Sequence, residues 1–165
     1  MGNLGQTLTD NFTIVAYMMQ SISVLMGVTF TLGGIFKLKK LGESRGAMSQ
    51  EHSMAGPLLM IVAGAMLLIL PAFISAMGLA VFGYRNPMAY NPGVDDDSLV
   101  GAIMMLVRLV GVGSFIRGIT LLARSGGHQA QQGTLGKAII HMVAGVMCVH
   151  VYGTLTLLGE LMGLT

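Results

Sequence analysis

The chain has 165 residues, 53% of them hydrophobic and only 10% charged, with a mean hydropathy of +0.74. Soluble domains carry about 25% charged residues, so this composition excludes a water-exposed globular surface over most of the sequence. The net charge of +2 argues against a nucleic-acid binder, and the single cysteine, Cys148, excludes an intrachain disulfide or a cysteine metal cluster.

The N-terminus has no basic segment before its first apolar stretch and no convincing small-residue cleavage site, so it is expected to be retained. From Asn11 to Phe36 there are 26 residues without a charge, and from Ser53 to Tyr84 there are 32. About 20 apolar residues cross a bilayer. The pattern predicts four transmembrane helices, near 12–37, 54–83, 98–124 and 136–160. The expected class is therefore all-α and integral to a membrane.

Lys37, Lys39, Lys40 and Arg45 flank the first loop, near 38–53. The second helix is too long for a hydrocarbon core of about 30 Å and should tilt or kink. Pro71 interrupts it and frees the Leu67 carbonyl, so the kink belongs there. Gly64, Leu68, Ala72, Ala76 and Ala80 repeat every four residues as a stripe of mostly small side chains, the kind that lets helices pack closely in lipid.

The second loop, near 84–97, is rich in turn formers and holds Asp95, Asp96 and Asp97 beside Arg85. Asp97 or Ser98 suits an N-cap for the third helix. Arg108 lies about ten residues into that helix, where a charge is expensive. Three roles stay open for it: an ion pair between helices or subunits, a guanidinium facing a water-filled lumen or a lipid phosphate, and catalysis. Gly111 and Gly118 line one side of the helix, and Arg117 and Arg124 share a face towards its end. The third loop, near 125–135, is glycine-rich, and Thr134 suits the cap of helix four. In that helix His141 and His150 are nine residues apart and so lie on roughly opposite faces. His52 and His128 fall in loops, and no metal-ligand set is expected. Gly159 and Gly163 form a GxxxG near the C-terminus.

Two halves of the chain repeat each other. Gly27-Val28 and Gly34-Ile35 return as Gly111-Val112 and Gly118-Ile119, at an offset of 84. Val62-Ala63-Gly64-Ala65-Met66 returns as Val143-Ala144-Gly145-Val146-Met147, at an offset of 81, which Gly78 and Gly159 also keep. The expected organisation is two tandem helical hairpins, 1–84 and 98–165, joined by a connecting loop at 85–97. Two helices per repeat make the repeats parallel. Basic residues mark cytoplasmic loops. Loops one and three should therefore be cytoplasmic, and both termini and the aspartate loop on the far side of the membrane. Lys37, Lys40, Arg117, Arg124 and Lys137 then form a basic collar suited to anionic headgroups or to a lumen, with Arg108 deeper in the membrane.

The sequence has no GxxxxGK[ST], HExxH or GxSxG motif and no paired intramembrane carboxylates, so an enzyme is not expected. Helix one lacks the carboxylate of a proton-coupled four-helix exporter, Gln20 being its only strongly polar side chain.

Gly113-Ser114-Phe115-Ile116-Arg117-Gly118, Leu121-Leu122-Ala123-Arg124, Gly126-Gly127, Gly133-Thr134-Leu135-Gly136-Lys137, His141 and Gly145 resemble the small inner-membrane IcmC/DotE proteins. Those proteins belong to type IVB (Dot/Icm-type) secretion systems and related conjugation systems. The likeness covers roughly 105–153. It implies a bacterial inner-membrane location, other secretion-system subunits as partners, and protein or DNA as the translocated cargo; no catalytic residue is carried over. In topology the chain is also similar to two conjugative pilin hairpins in tandem. Such pilins polymerise with phospholipid into a hollow, extracellular tube. The expected function is a self-assembling structural subunit of a translocation channel or pilus-like conduit. It would need no cofactor other than bound phospholipid. The alternative is a small transporter or channel acting alone, with Arg108 and His150 in its pathway.

Overall fold

The computed structural model describes residues 2–44, 54–83, 99–125 and 133–163. They are all helical apart from short turns: α1 (Gly2–Ser44), α2 (Ala55–Leu68), α3 (Leu70–Phe82), α4 (Leu99–Ser125), α5 (Thr134–Val149) and α6 (Val151–Leu161). α1 and α4 are long and apolar enough to cross a membrane. Counting each bent pair, α2–α3 and α5–α6, as one span raises the number to four. The N-cap of α2, Met54, makes no side-chain cap bond. Among the described residues, helix formation rests on apolarity: in lipid every backbone N–H and C=O must find its partner within the segment.

The expected helix boundaries hold for α4 and shift elsewhere. α1 extends beyond 12–37 at both ends and runs through the basic residues Lys37, Lys39 and Lys40. The expected second and fourth helices are each broken. α2 ends before Ile69, whose φ of −103° and ψ of 25° leave the helical well. α5 ends before His150, with φ −99° and ψ 53°. α2 has 14 residues and α5 has 16; at 1.5 Å per residue each measures about 21–24 Å, short of a span alone. The aspartate loop, the Ser98 cap, Arg45, Arg85, His52 and His128 lie outside the described residues.

The described chain divides into two compact units. One comprises Ser21–Leu70 and Ile116–Met142, and the other Met1–Gln20, Pro71–Phe115 and Val143–Thr165. In the first unit α1 crosses α2 at two glycines. A Cβ added to Gly27 would lie 2.9 Å from the Gly64 carbonyl oxygen and 3.0 Å from the Leu68 nitrogen. A Cβ on Gly64 would lie 2.8 Å from the Gly27 carbonyl oxygen. One turn or two further on, Gly34 faces the Pro57 oxygen and the Ile61 nitrogen, each 3.1 Å from its would-be Cβ.

α4 crosses α5 by the same contacts. In the second unit a Cβ on Gly111 would lie 2.9 Å from the Gly145 oxygen and 2.8 Å from the Val149 nitrogen, and one on Gly145 would lie 2.8 Å from the Gly111 oxygen. In the first unit Gly118 faces the Ala138 oxygen at 2.9 Å and the Met142 nitrogen at 2.8 Å. Offsets of 84 on the first helix and 81 on its partner map one crossing onto the other, residue by residue. The same 81 carries Ile69 onto His150, so the helix break belongs to the repeat as well.

These contacts leave no room for a side chain. Gly64→Val and Gly145→Val should each destabilise the protein by about 1–3 kcal/mol through overpacking. Gly42 and Gly136 have nothing within 4 Å of a would-be Cβ. Gly42→Ala and Gly136→Ala should be neutral or slightly stabilising, since alanine is the better helix former. Thermal unfolding in mild detergent reads both sets; equal effects at all four positions would contradict the crossing.

Candidate functional site

The two helix breaks reach one shape by different chemistry. At the first, Pro71 has no N–H to give the Leu67 carbonyl. The Ser23 hydroxyl of α1 donates to that oxygen instead, at 3.2 Å. Both Ser23 and Leu67 are fully buried. A buried carbonyl left unmatched would cost about 1–3 kcal/mol, so Ser23 makes a proline break tolerable in an apolar setting.

The second break has Tyr152 where the first has Pro71, and no proline near it. Proline is therefore not what the repeat requires for a break. His150 occupies the break and is buried. Its backbone N–H donates to the Val146 carbonyl at 3.0 Å. Its Nδ1 lies 3.2 Å from the same oxygen, a contact in which the Nδ1–H tautomer donates. The Thr154 hydroxyl donates to the Met147 carbonyl at 2.8 Å, reaching back across the break to the acceptor that Val151 would use in an unbroken helix. The imidazole stacks on Phe82 of α3, with 5.4 Å between centroids and 22° between planes. It also lies against Gly78, where any added Cβ would collide with the ring.

Arg108 enters the same unit from α4. Its guanidinium carbon is 6.0 Å from the centroid of the Tyr152 ring, at the outer range of a cation–π contact. The buried Tyr152 hydroxyl makes no hydrogen bond among the described residues. Phe73 of α3 meets Phe115 of α4 in the same unit, at 5.7 Å between centroids. Glu160 is exposed near the end of α6.

The basic collar belongs to the other unit. Lys37 and Lys40 are exposed on α1, Arg117 and Arg124 on α4, and Lys137 in the first turn of α5. Arg124 sits in the last turn of α4, where a cation complements the helix dipole. Lys137 does the opposite, since a cation opposes the dipole at a helix start. Its position is thus not explained by helix stability. Lys39 pairs with Glu43 at 3.8 Å, but both side chains are mostly solvent-exposed, so the pair adds little.

The small-residue positions divide. Gly64, Gly111 and Gly118 form the crossings. Ala72, Ala76 and Ala80 are exposed on α3, because the break separates them from Gly64 and turns Ile74 and Gly78 inward. Gly159 is half-buried, and Gly163, exposed with φ of 67°, ends α6 in a turn and packs no helix among the described residues. Sequence reasoning missed Ser23, Tyr152, Thr154 and the break at His150. Among the described residues no three His, Cys, Asp or Glu side chains converge on a metal position. Comparison with protein-family models, curated proteins and solved structures finds no match.

Ser23→Ala should destabilise the protein by about 1–3 kcal/mol by orphaning the Leu67 carbonyl. Pro71→Ala restores a backbone donor and should recover part of that loss in the double variant. Chemical or thermal unfolding of the three variants tests the coupling, and strictly additive effects would contradict it.

Proposed function

We propose that this protein is a structural membrane subunit that works by assembling with further copies of itself and with phospholipid to enclose a conduit. The observation that carries the reading is the duplicated glycine crossing. A chain that writes one packing unit twice is built like two adjacent subunits of a larger array. The exposed residues of α1 and α4 include many large apolar side chains suited to lipid or to neighbouring helices.

The likeness of 105–153 to the IcmC/DotE proteins supports assigning the conduit to a type IVB secretion or conjugation apparatus in a bacterial inner membrane. Lys37, Lys40, Arg117, Arg124 and Lys137 would then face the cytoplasm and hold anionic headgroups or line the lumen, with both termini periplasmic. Exposed basic side chains near helix ends are suited to that role. Other subunits of the apparatus and the transported protein or DNA are its partners in this reading.

A second reading, a transporter acting alone, draws on the Arg108, Tyr152 and His150 cluster beside a helix break. Flux in liposomes containing only this protein, abolished in Arg108→Gln, would favour it.

In mild detergent and in nanodiscs the protein should run as a multi-chain assembly carrying co-purified anionic phospholipid. Replacing Lys37, Lys40, Arg117, Arg124 and Lys137 together with glutamine should lower the retained anionic lipid severalfold. Light scattering and lipid analysis give both numbers; a strictly monomeric protein in both media would overturn the reading.

A further inference from the structure

The two repeats share their backbone crossings but not their burial. α3 of the first repeat packs against α4 and the α5–α6 corner of the second, through Phe73 on Phe115, Phe82 on His150, and Gly78 beneath the His150 ring. Ile74, on the α3 side, is 7% exposed, while Leu109 and His150, in the second repeat, are 9% and 1% exposed.

Ile74, Leu109 and His150 each have a repeat counterpart that the single chain leaves open. Ile74 corresponds to Leu155 on α6, which is 54% exposed. His150 corresponds to Ile69, 55% exposed, and Leu109 to Leu25, 68% exposed. Further along α4, Ile119 is fully buried, whereas its α1 counterpart, Ile35, is 50% exposed. The two spanning helices repeat the asymmetry: 33% of the apolar window of α4 is buried, against 17% of that of α1. Gly78, which admits the His150 ring, corresponds to Gly159.

We propose that a second copy of this chain covers both leftover faces. α6 of one copy seats against the α1–α2 face of the next, as α3 seats against α4 and the α5–α6 corner within the chain. Gly159 then receives Ile69 of the neighbour as Gly78 receives His150. By the same offsets the Phe73–Phe115 contact becomes Thr154 against Thr31, two hydroxyls that already bond backbone carbonyls within their own repeats, among otherwise apolar side chains. Glu160 does not obstruct it, because its counterpart Leu79 stays 40% exposed on α3 and lies off the in-chain contact. Different surfaces meet at the two ends, so the association is head-to-tail and closes as a ring or continues as a filament. This inference rests on the self-assembly reading and adds its interface.

The test uses the full-length chain in native membranes, with Cys148→Ser as background and a short bis-maleimide as crosslinker. A chain carrying Ile69→Cys and Gly159→Cys should give a ladder of dimers, trimers and higher species. Mixing the two single variants should stop at dimers, and either single variant alone should give none. Ile69→Cys with Leu155→Cys serves as a second pair, should a side chain at position 159 disturb packing. Self-crosslinking of a single variant would overturn the head-to-tail contact. So would the absence of a ladder in both pairs while light scattering still finds oligomers, and that result would leave self-assembly standing. Monomers throughout would remove the self-assembly reading as well.

Discussion

Everything in this fold depends on backbone meeting backbone at glycines. Lipid offers helices little hydrophobic drive to associate, so they hold together by close packing. Gly27 with Gly64 and Gly111 with Gly145 bring two pairs of helices so near that a single Cβ would have to move a carbonyl. With the crossings set, the residue one turn past each becomes the place where the second helix breaks. Ile69 and His150 occupy positions 81 residues apart in the repeat; Ser23 donates to the Leu67 carbonyl at the first break and Thr154 to the Met147 carbonyl at the second.

The two breaks illustrate divergence under a fixed geometry. The first uses proline and a serine hydroxyl borrowed from the neighbouring helix. The second uses a buried histidine, a threonine reaching back along its own chain, and an aromatic stack. Among the described residues, the second gathers the ionisable side chains Arg108, His150 and Tyr152 in one unit. The exposed cations on α1, α4 and α5 sit in the other unit.

Much of this was legible in the sequence. Glycines recurring at 84 and 81 marked the repeat, though not which glycine meets which, and long uncharged stretches gave the apolar helices. A kink near Pro71 followed from its missing N–H. The break at His150 was not read, because no proline or glycine marks it; carrying the 81-residue offset through from Ile69 would have found it. The small-residue stripe through Ala72, Ala76 and Ala80 assumed one continuous helix, and a break at Ile69 sends those alanines to the outside. Ser23 and Thr154 escaped notice because a hydroxyl matters only once a particular carbonyl has lost its donor. The pairing of Arg108 with Tyr152 depends on where α6 points after the break, which local pattern does not encode.

The most direct test of the central claim, that one packing unit is repeated within and between chains, is electron cryomicroscopy of the protein extracted with its native lipids. The account predicts a ring or tube in which successive hairpins are evenly spaced, with the step between chains matching the step between the two repeats of one chain. Isolated four-span bundles, or two-fold dimers that join like surfaces, would contradict it.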